Sequence, residues 1–425
     1  MTADTIYALS SGSPPAGIAV VRISGPKADE ALRRLAGKLP TPRVATLAEL
    51  REEGGEALDR ALVLRFPGPA SATGEDVAEL HLHGGRAVVA AVLAALARVD
   101  GLRPAAPGEF TRRAFENGRL DLAEAEGLAD LLAAETESQR RSALALAEGA
   151  LSRRVGAWQA RILALAASLE AAIDFSDEGE VEESLPAAWA EEAEAISREI
   201  AEALRRPDAE RLRDGVRIVV AGPPNAGKSS LINVLCGRDV AITSPMEGTT
   251  RDVLEAPVAI AGSPFLLVDT AGLRESEDMV ERAGVERARR QLEAADLILW
   301  LGLPESCPEP KRSIVVQSKC DIRSPDPAAA LRVSAVTGEG LDRLVDVLAG
   351  KAAELLPGEG DVALNARHRA ALRQTLEGLG EARGPDLILA AEGLRAARAA
   401  LDRITGRAGV EDMLDALFGS FCIGK

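Results

Sequence analysis

The segment Gly222-Pro-Pro-Asn225-Ala226-Gly227-Lys228-Ser229 constrains this chain more than any other. It fits the pattern G-x-x-x-x-G-K-[ST], and its flanks suit that pattern. An apolar run, 216–221, reads as a strand before it, and 229–235 reads as a helix after it. Glycines in such a loop let backbone N–H groups turn inward around phosphates, at the positive end of a helix. Lys228 then reaches the terminal phosphates, and the Ser229 hydroxyl holds magnesium, with Ser230 following in the same nucleotide-binding set. The pattern alone has false positives, and the alternative is a glycine turn in an ordinary α/β domain; the flanking strand and helix favour the phosphate loop.

Four further segments follow in an order that fits a nucleotide switch. Residues 265–268 form a short apolar run ending in Asp269-Thr270-Ala271-Gly272. A carboxylate at a strand end can hold the magnesium shell, and the Gly272 N–H can meet a γ-phosphate. Upstream, Gly248-Thr249-Thr250 lies in a polar loop, where Thr250 can add a second hydroxyl to the metal. Downstream, 314–317 is an apolar run ending in Ser318-Lys319-Cys320-Asp321. Asp321 can accept the two donors on guanine's amide edge, which adenine does not present. Finally, Ser334-Ala335 places a backbone N–H where guanine's carbonyl would sit. Together these elements predict a GTPase rather than an ATPase.

Two positions depart from the usual switch. GTPases normally carry Asn where this chain has Ser318, and that Asn braces both the base and the phosphate loop. Ser is shorter, so weaker nucleotide affinity is expected, and Ser318→Asn is expected to tighten GDP binding. Leu273 stands where Ras-like switches place a water-orienting Gln. Something else must orient water. Glu281, in the polar segment beyond, is one candidate. Asn225 serves equally well as a turn former or as a ligand.

Composition narrows the setting. The 425 residues allow two to four domains at ordinary domain sizes, and 47% apolar content gives material for real cores. Four cysteines, none paired at zinc-ligand spacing, suit a reducing, cytoplasmic setting rather than a disulfide framework. No apolar run approaches the ~20 residues of a membrane helix, and no signal peptide is visible. The formal charge is −16, which argues against one broad nucleic-acid-binding surface. Nine carboxylates without a Lys or Arg fall within 174–194, leaving −7 for the rest. Only seven of the 50 basic residues are lysines, among them Lys228, Lys319 and Lys425. In a chain that otherwise writes Arg, a lysine points mildly to a place needing a compact ammonium.

The patterning sets out an organisation. Residues 1–117 read as a mixed α/β unit, with apolar runs at 18–23, 61–66 and 77–83. The last is followed by Gly84-Gly85 and a helix ending near residue 100. Residues 118–212 read as helical, with Val155, Trp158, Ile162, Leu165, Leu169 and Ile173 on one stripe. The nucleotide unit occupies 213–351. Residues 352–425 are helical again, with an Arg-dotted face at Arg395, Arg398, Arg403 and Arg407. That face and Arg112-Arg113 are candidates for RNA contact, against a default of solvated helix faces.

The chain resembles the MnmE (TrmE) family of tRNA-modification GTPases over essentially its full length. The resemblance rests on Gly17-Ile-Ala-Val-Val-Arg22-Ile-Ser-Gly25, Thr73-Gly-Glu-Asp-Val-Ala-Glu79-Leu, His83-Gly-Gly85, Pro107-Gly-Glu-Phe-Thr-Arg-Arg-Ala-Phe115, Asn117-Gly-Arg-Leu-Asp-Leu-Ala-Glu-Ala-Glu126 and the terminal Phe421-Cys-Ile-Gly-Lys425. It implies an α/β multidomain fold. The parts are an N-terminal α/β domain that binds folate and dimerises, a helical domain built from two chain segments, and an inserted Ras-like P-loop GTPase domain.

The resemblance also implies a homodimeric, potassium-activated GTPase, with Asn225, Ser244, Met246 and Thr249 as potassium ligands and Glu281 orienting the hydrolytic water through a second water. Arg22, Glu79, Arg119 and Lys425 match the family's folate positions, for a tetrahydrofolate in its 5,10-methylene or 5-formyl form. Cys422 becomes a catalytic thiol candidate, against a small buried apolar residue on sequence alone. The implied reaction adds a carboxymethylaminomethyl or aminomethyl group at carbon five of the wobble uracil of tRNA. The implied partner is the FAD-carrying flavoprotein MnmG (GidA), and no dinucleotide fingerprint appears in this chain. The competing reading is a ribosome-assembly GTPase switch, which would need an appended RNA-binding domain with a basic face.

Overall fold

The computed structural model describes residues 4–176, 187–238, 255–269, 289–326, 329, 331–358, 362–384, 386–408, 411–419 and 421–425. It divides into two compact units, 1–129 with 402–425, and 130–401.

In the first unit the elements are β1 (Thr5–Leu9), β2 (Ile18–Ser24), α1 (Ala28–Ala36), β3 (Thr46–Arg51), β4 (Ala57–Phe66), β5 (Val77–His83), α2 (Arg86–Ala97), β6 (Leu102–Pro104) and α3 (Glu109–Glu116). The six strands form one sheet in the order β3-β4-β5-β2-β1-β6, antiparallel except for the β1–β6 pair. Alternation decides which side is covered. Ala19, Val21, Ile23, Ala78, Leu80 and Leu82 are buried in one core with Leu32 and Leu35 of α1 and Val92 and Leu96 of α2. The opposite face carries Arg22, Glu79 and His81, with the exposed Ile18 and Leu62. The predicted strands at 18–23, 61–66 and 77–83 are all present, whereas β1, β3 and β6 went unpredicted.

The chain's far end returns to this unit. Helix α4 (Leu122–Ala133) begins inside it, and α13 (Glu411–Gly419) is the last helix among the described residues. Leu122, Ala125, Leu414, Phe418 and Phe421 share a small apolar core, and Phe418 lies between Phe115 and Phe421 with ring centroids 6.2 Å from each. Beyond α13, Ile423 bridges to Pro107, and the Phe110 N–H donates to the Lys425 carbonyl at 3.2 Å. Gly424 has φ +98, and a β-carbon there would lie 2.1 Å from the Leu9 carbonyl oxygen. Only glycine fits that approach.

The second unit holds helices and the other sheet. Helices α5 (Glu137–Ala147), α6 (Ala150–Ser176), α7 (Ala187–Arg205) and α8 (Ala209–Asp214) precede it in sequence. The stripe predicted on α6 is buried at Val155, Trp158, Ile162, Leu165 and Leu169. The sheet comprises β7 (Val216–Ala221), β8 (Glu255–Ile260), β9 (Ser263–Asp269), β10 (Leu297–Trp300), β11 (Ser313–Ser318) and β12 (Leu331–Val333), with helices α9 (Lys228–Arg238) and α10 (Leu341–Leu355). Its order is β12-β11-β10-β7-β9-β8, parallel except for edge strand β8.

Helices α11 (Ala366–Ala382) and α12 (Leu387–Thr405) follow, and α11 packs on α7. Gly378 and Gly393 let α11 and α12 cross closely, since a β-carbon on either would sit 2.5 Å from the other's carbonyl oxygen. The chain enters and leaves the sheet region side by side. Asp208 and Leu364 form a parallel bridge, the Ala209 N–H donates to the Leu364 carbonyl at 3.1 Å, and Arg369 donates to the carbonyls of Leu204 and Arg206. Among the described residues, no helix is long and apolar enough to cross a membrane.

Candidate nucleotide and folate sites

The phosphate loop follows β7, whose neighbours β9 and β10 run off to opposite sides, so the loop opens at the switch point of the sheet. Gly222 has φ +150 and Gly227 φ +91, and Asn225 between them is left-handed at φ 59. Asn is among the few side chains that tolerate this region. Lys228, only 9% exposed, donates from Nζ to the carbonyls of Gly222 and Pro223 at 3.1 and 3.0 Å. Ser229 opens α9 and donates from Oγ to Asp269 Oδ2 at 2.6 Å. Asp269 is 4% exposed and stands in register with Val220, so β9 brings it to the mouth of the loop. A hydroxyl and a carboxylate converging here form the hard-oxygen donor pair that suits magnesium.

The base side is assembled from two strand ends. Ser318 ends β11, is 5% exposed, and donates from Oγ to the Ala226 carbonyl at 2.5 Å. Though shorter than Asn, Ser318 thus still braces the phosphate loop. Lys319 is left-handed at φ 59, and a β-carbon on Gly227 would lie 3.7 Å from its Cε, so its stem runs against the phosphate loop. The Cys320 N–H donates to the Val333 carbonyl at 3.2 Å, tying the Asp321 turn to the end of β12. Buried Ser334 accepts from the N–H groups of Val336 and Thr337 at 3.2 Å each, which shapes the turn carrying Ala335. Burial pushes the Cys320 thiol up, and the Glu339 carboxylate adds to it, so that cysteine is a packed neutral group. Ser230 is exposed on the first turn of α9. Ser244, Met246, Thr249, Thr250, Thr270, Ala271, Gly272 and Glu281 lie outside the described residues.

The second site is in the first unit. Arg22 on β2 and Glu79 on β5 are register partners, and Arg22 donates from Nε and Nη2 to Glu79 Oε1 at 3.0 and 2.9 Å. The pair is 23% and 17% exposed, so both can meet a ligand. The other Glu79 oxygen lies 3.3 Å from His81 Nε2. The Arg22 guanidinium sits over the Phe110 ring, 5.8 Å from its centroid, and the Phe110 backbone holds Lys425. Arg22, Glu79 and the chain terminus thus share one neighbourhood. Arg119 is exposed, and its Cγ lies 3.3 Å from where a β-carbon on Gly74 would sit. Cys422 is exposed, which removes the reading of a buried apolar residue. Sequence reasoning did not single out His81 or the Phe110 ring. Neither the alternation of β5 nor the single aromatic at 110 names a partner.

One predicted surface is not a surface. Arg112 is exposed and bonded to Glu116 and Asp415, but Arg113 is 2% exposed. It bonds Asp4, Glu75 and Glu109 at 2.9–3.1 Å. Burial opposes charge on Glu109, but the Arg103 and Arg113 guanidiniums and the Ala106 N–H outweigh it and hold the carboxyl below its usual range. Asp4 is lowered for the same kind of reason, with burial opposed by Arg103 and Arg113. Arg113 is an internal tie of the first unit, out of reach of RNA.

Comparison with known proteins matches this arrangement segment by segment. The family model described as the GTP-binding protein TrmE N-terminus matches residues 5–119, and that of the MnmE helical domain matches residues 122–422. A tRNA modification GTPase MnmE of Rhizorhabdus wittichii is 60% identical, over 99% of this chain and 97% of its own length. One of Erythrobacter litoralis is 57% identical over 99% of this chain and 100% of its own length. Another, of Sphingopyxis alaskensis, is 56% identical over 95% and 100%. With a P-loop sheet, a tail returned to the N-terminal sheet and relatives of this identity along its whole length, the chain belongs to the MnmE family of tRNA modification GTPases.

Proposed function

We propose that this chain is the potassium-activated GTPase of a complex that modifies the wobble uridine of tRNA. It acts as a homodimer with an FAD-carrying flavoprotein of the MnmG (GidA) type. The added group is a carboxymethylaminomethyl or aminomethyl substituent at carbon five of uracil, and its one-carbon unit comes from a tetrahydrofolate. The observation that carries the reading is the pairing of two sites in one chain. A braced phosphate loop sets Lys228 and Ser229 against Asp269 of β9, and a separate Arg22–Glu79 pair lies beside the returned Lys425 segment.

In hydrolysis, the chain's own groups position and neutralise. The loop N–H groups and Lys228 bind the phosphates, and Lys228 exchanges its carbonyl partners for phosphate oxygens. Asp321 selects guanine, with the Ser334–Ala335 turn at the base's carbonyl. Glu281 orients the attacking water. Ser229 and Thr250 would hold magnesium, whose charge would offset that of the phosphates. Asn225, Ser244, Met246 and Thr249 would hold potassium beside them.

At the other site, Glu79 accepts from the donors of a pterin, while Arg22, Arg119 or Lys425 supplies a cation for the folate's glutamate. The Cys422 thiol is exposed three residues before Lys425, which supports a role near the one-carbon donor. One pair of assays tests the reading: GTP turnover in potassium against sodium, and folate binding by calorimetry. Faster turnover in potassium together with folate binding is expected; equal rates with no binding would sink it. Glu281→Ala should cut turnover and spare nucleotide binding, so lost binding would remove Glu281 from this role.

A further inference from the structure

The base side of the nucleotide site departs from the usual pattern at one buried atom. A serine hydroxyl has one proton to donate, where an asparagine amide has two. At Ser318 that proton goes to the Ala226 carbonyl, at 2.5 Å and with the residue 5% exposed. A carbonyl only accepts, so the direction of this bond is settled. What Ser318 Oγ still offers is lone pairs. The imidazole-side edge of guanine, N7, offers a lone pair as well. On the guanine reading residue 318 stands at that edge, where other GTPases brace the base with Asn, and two acceptors there form no hydrogen bond.

The neighbouring cations do not change this. Lys228 Nζ is turned to the loop carbonyls of Gly222 and Pro223, and the Lys319 stem lies along Gly227. We infer that Ser318 keeps the brace to the phosphate loop but leaves guanine N7 unread, so that selection of the base rests on Asp321 and the Ser334–Ala335 turn. This inference rests on the guanine reading of that site.

The test is competition by GDP, 7-deaza-GDP and inosine diphosphate against a fluorescent GDP on the full-length protein. 7-Deaza-GDP replaces N7 by C–H and keeps the amide edge; inosine diphosphate keeps N7 and lacks the amino group that Asp321 would bind. The expected result is 7-deaza-GDP within threefold of GDP, with inosine diphosphate clearly weaker. A larger loss on 7-deaza-GDP, with inosine diphosphate still weak, overturns the inference and leaves the guanine reading standing. Equal binding of inosine diphosphate and GDP removes the guanine reading and the inference with it.

Two variants sharpen the result. Ser318→Ala removes the brace and should weaken GDP and 7-deaza-GDP by the same factor; unequal weakening counts against the assignment. Ser318→Asn should tighten GDP by roughly five- to tenfold and leave 7-deaza-GDP behind. An Asn variant that remains indifferent to N7 would overturn the placement of residue 318 at that edge. The wild-type comparison stands even where a variant does not fold.

Discussion

The two sites are built in opposite ways. The nucleotide site draws each part from a strand end of a parallel sheet, so each part is a short contiguous motif. The Arg22–Glu79 pair draws on neighbouring strands of an antiparallel sheet and on the returned segment that ends in Lys425. In the first, backbone geometry places the groups, and loops such as Gly222–Gly227 hold their shape through glycine and the Ser318 brace. In the second, placement depends on tertiary ties: Phe110 to Lys425, Pro107 to Ile423, and the buried Arg113 cluster behind them. The nucleotide site should therefore fail by loss of chemistry, and the other by loss of architecture.

Breaking the architecture should have the largest effect. Arg113→Leu strands Asp4, Glu75 and Glu109 without their shared cation, and should cost about 3–5 kcal/mol in denaturant unfolding. GDP affinity should hardly move. A cost below about 1 kcal/mol would show that the cluster is not a tie. The same cluster sets a pH dependence. Asp4 and Glu109 are held below their ordinary values of 3.8 and 4.5. Their contribution is therefore complete above about pH 5 and is lost as pH falls through the lowered values. Acid titration of Arg113→Leu should be flatter than wild type over that range.

Breaking the chemistry comes next. Lys228→Ala should lower GTP turnover by roughly 10²–10³-fold, in line with the loss of one preorganised charged donor. Folate binding measured by calorimetry should stay as it was, and a parallel loss there would erase the distinction between the sites. The smallest expected effect is local. Gly424→Ala forces a side chain into a left-handed position against Leu9 and should cost about 1–3 kcal/mol, read as easier proteolysis of the tail. It should weaken folate binding, as deletion of Lys425 should, with turnover intact. A Gly424→Ala protein with unaltered folate affinity would detach the tail from that site.

Legibility in the sequence followed the same division. The strands β2, β7 and β11 announce themselves by β-branched runs, β5 by alternation and β9 by a short apolar run, and the nucleotide motifs sit at the ends of β7, β9 and β11. β3 does not: Thr46-Leu-Ala-Glu-Leu-Arg51 has helix-forming residues, and only pairing with β4 makes it a strand. β6 is three residues long, too short to carry a period. Arg22 and Glu79 are legible only through family resemblance, because nothing local says that residues 57 positions apart share a rung. Arg113 read as surface because its neighbour Arg112 is surface; one step along α3 turns the side chain from solvent into the unit. The destination of a single proton, from Ser318 to Ala226, is visible only once β11 and the phosphate loop are set side by side.

The doorway at Asp208 and Leu364 bears on how such a chain could arise and be rearranged. The two chain segments are bridged there, so the 155 residues between these positions begin and end at one isolated backbone rung. Helix α5 adds its own hold on that stretch, through the Ser138 N–H to the Gly262 carbonyl at 3.1 Å and Gln139 Nε2 to the Leu212 carbonyl at 3.0 Å. A switch domain could be acquired, exchanged or cut out there by one recombination at each edge, with no spacer needed to span a gap.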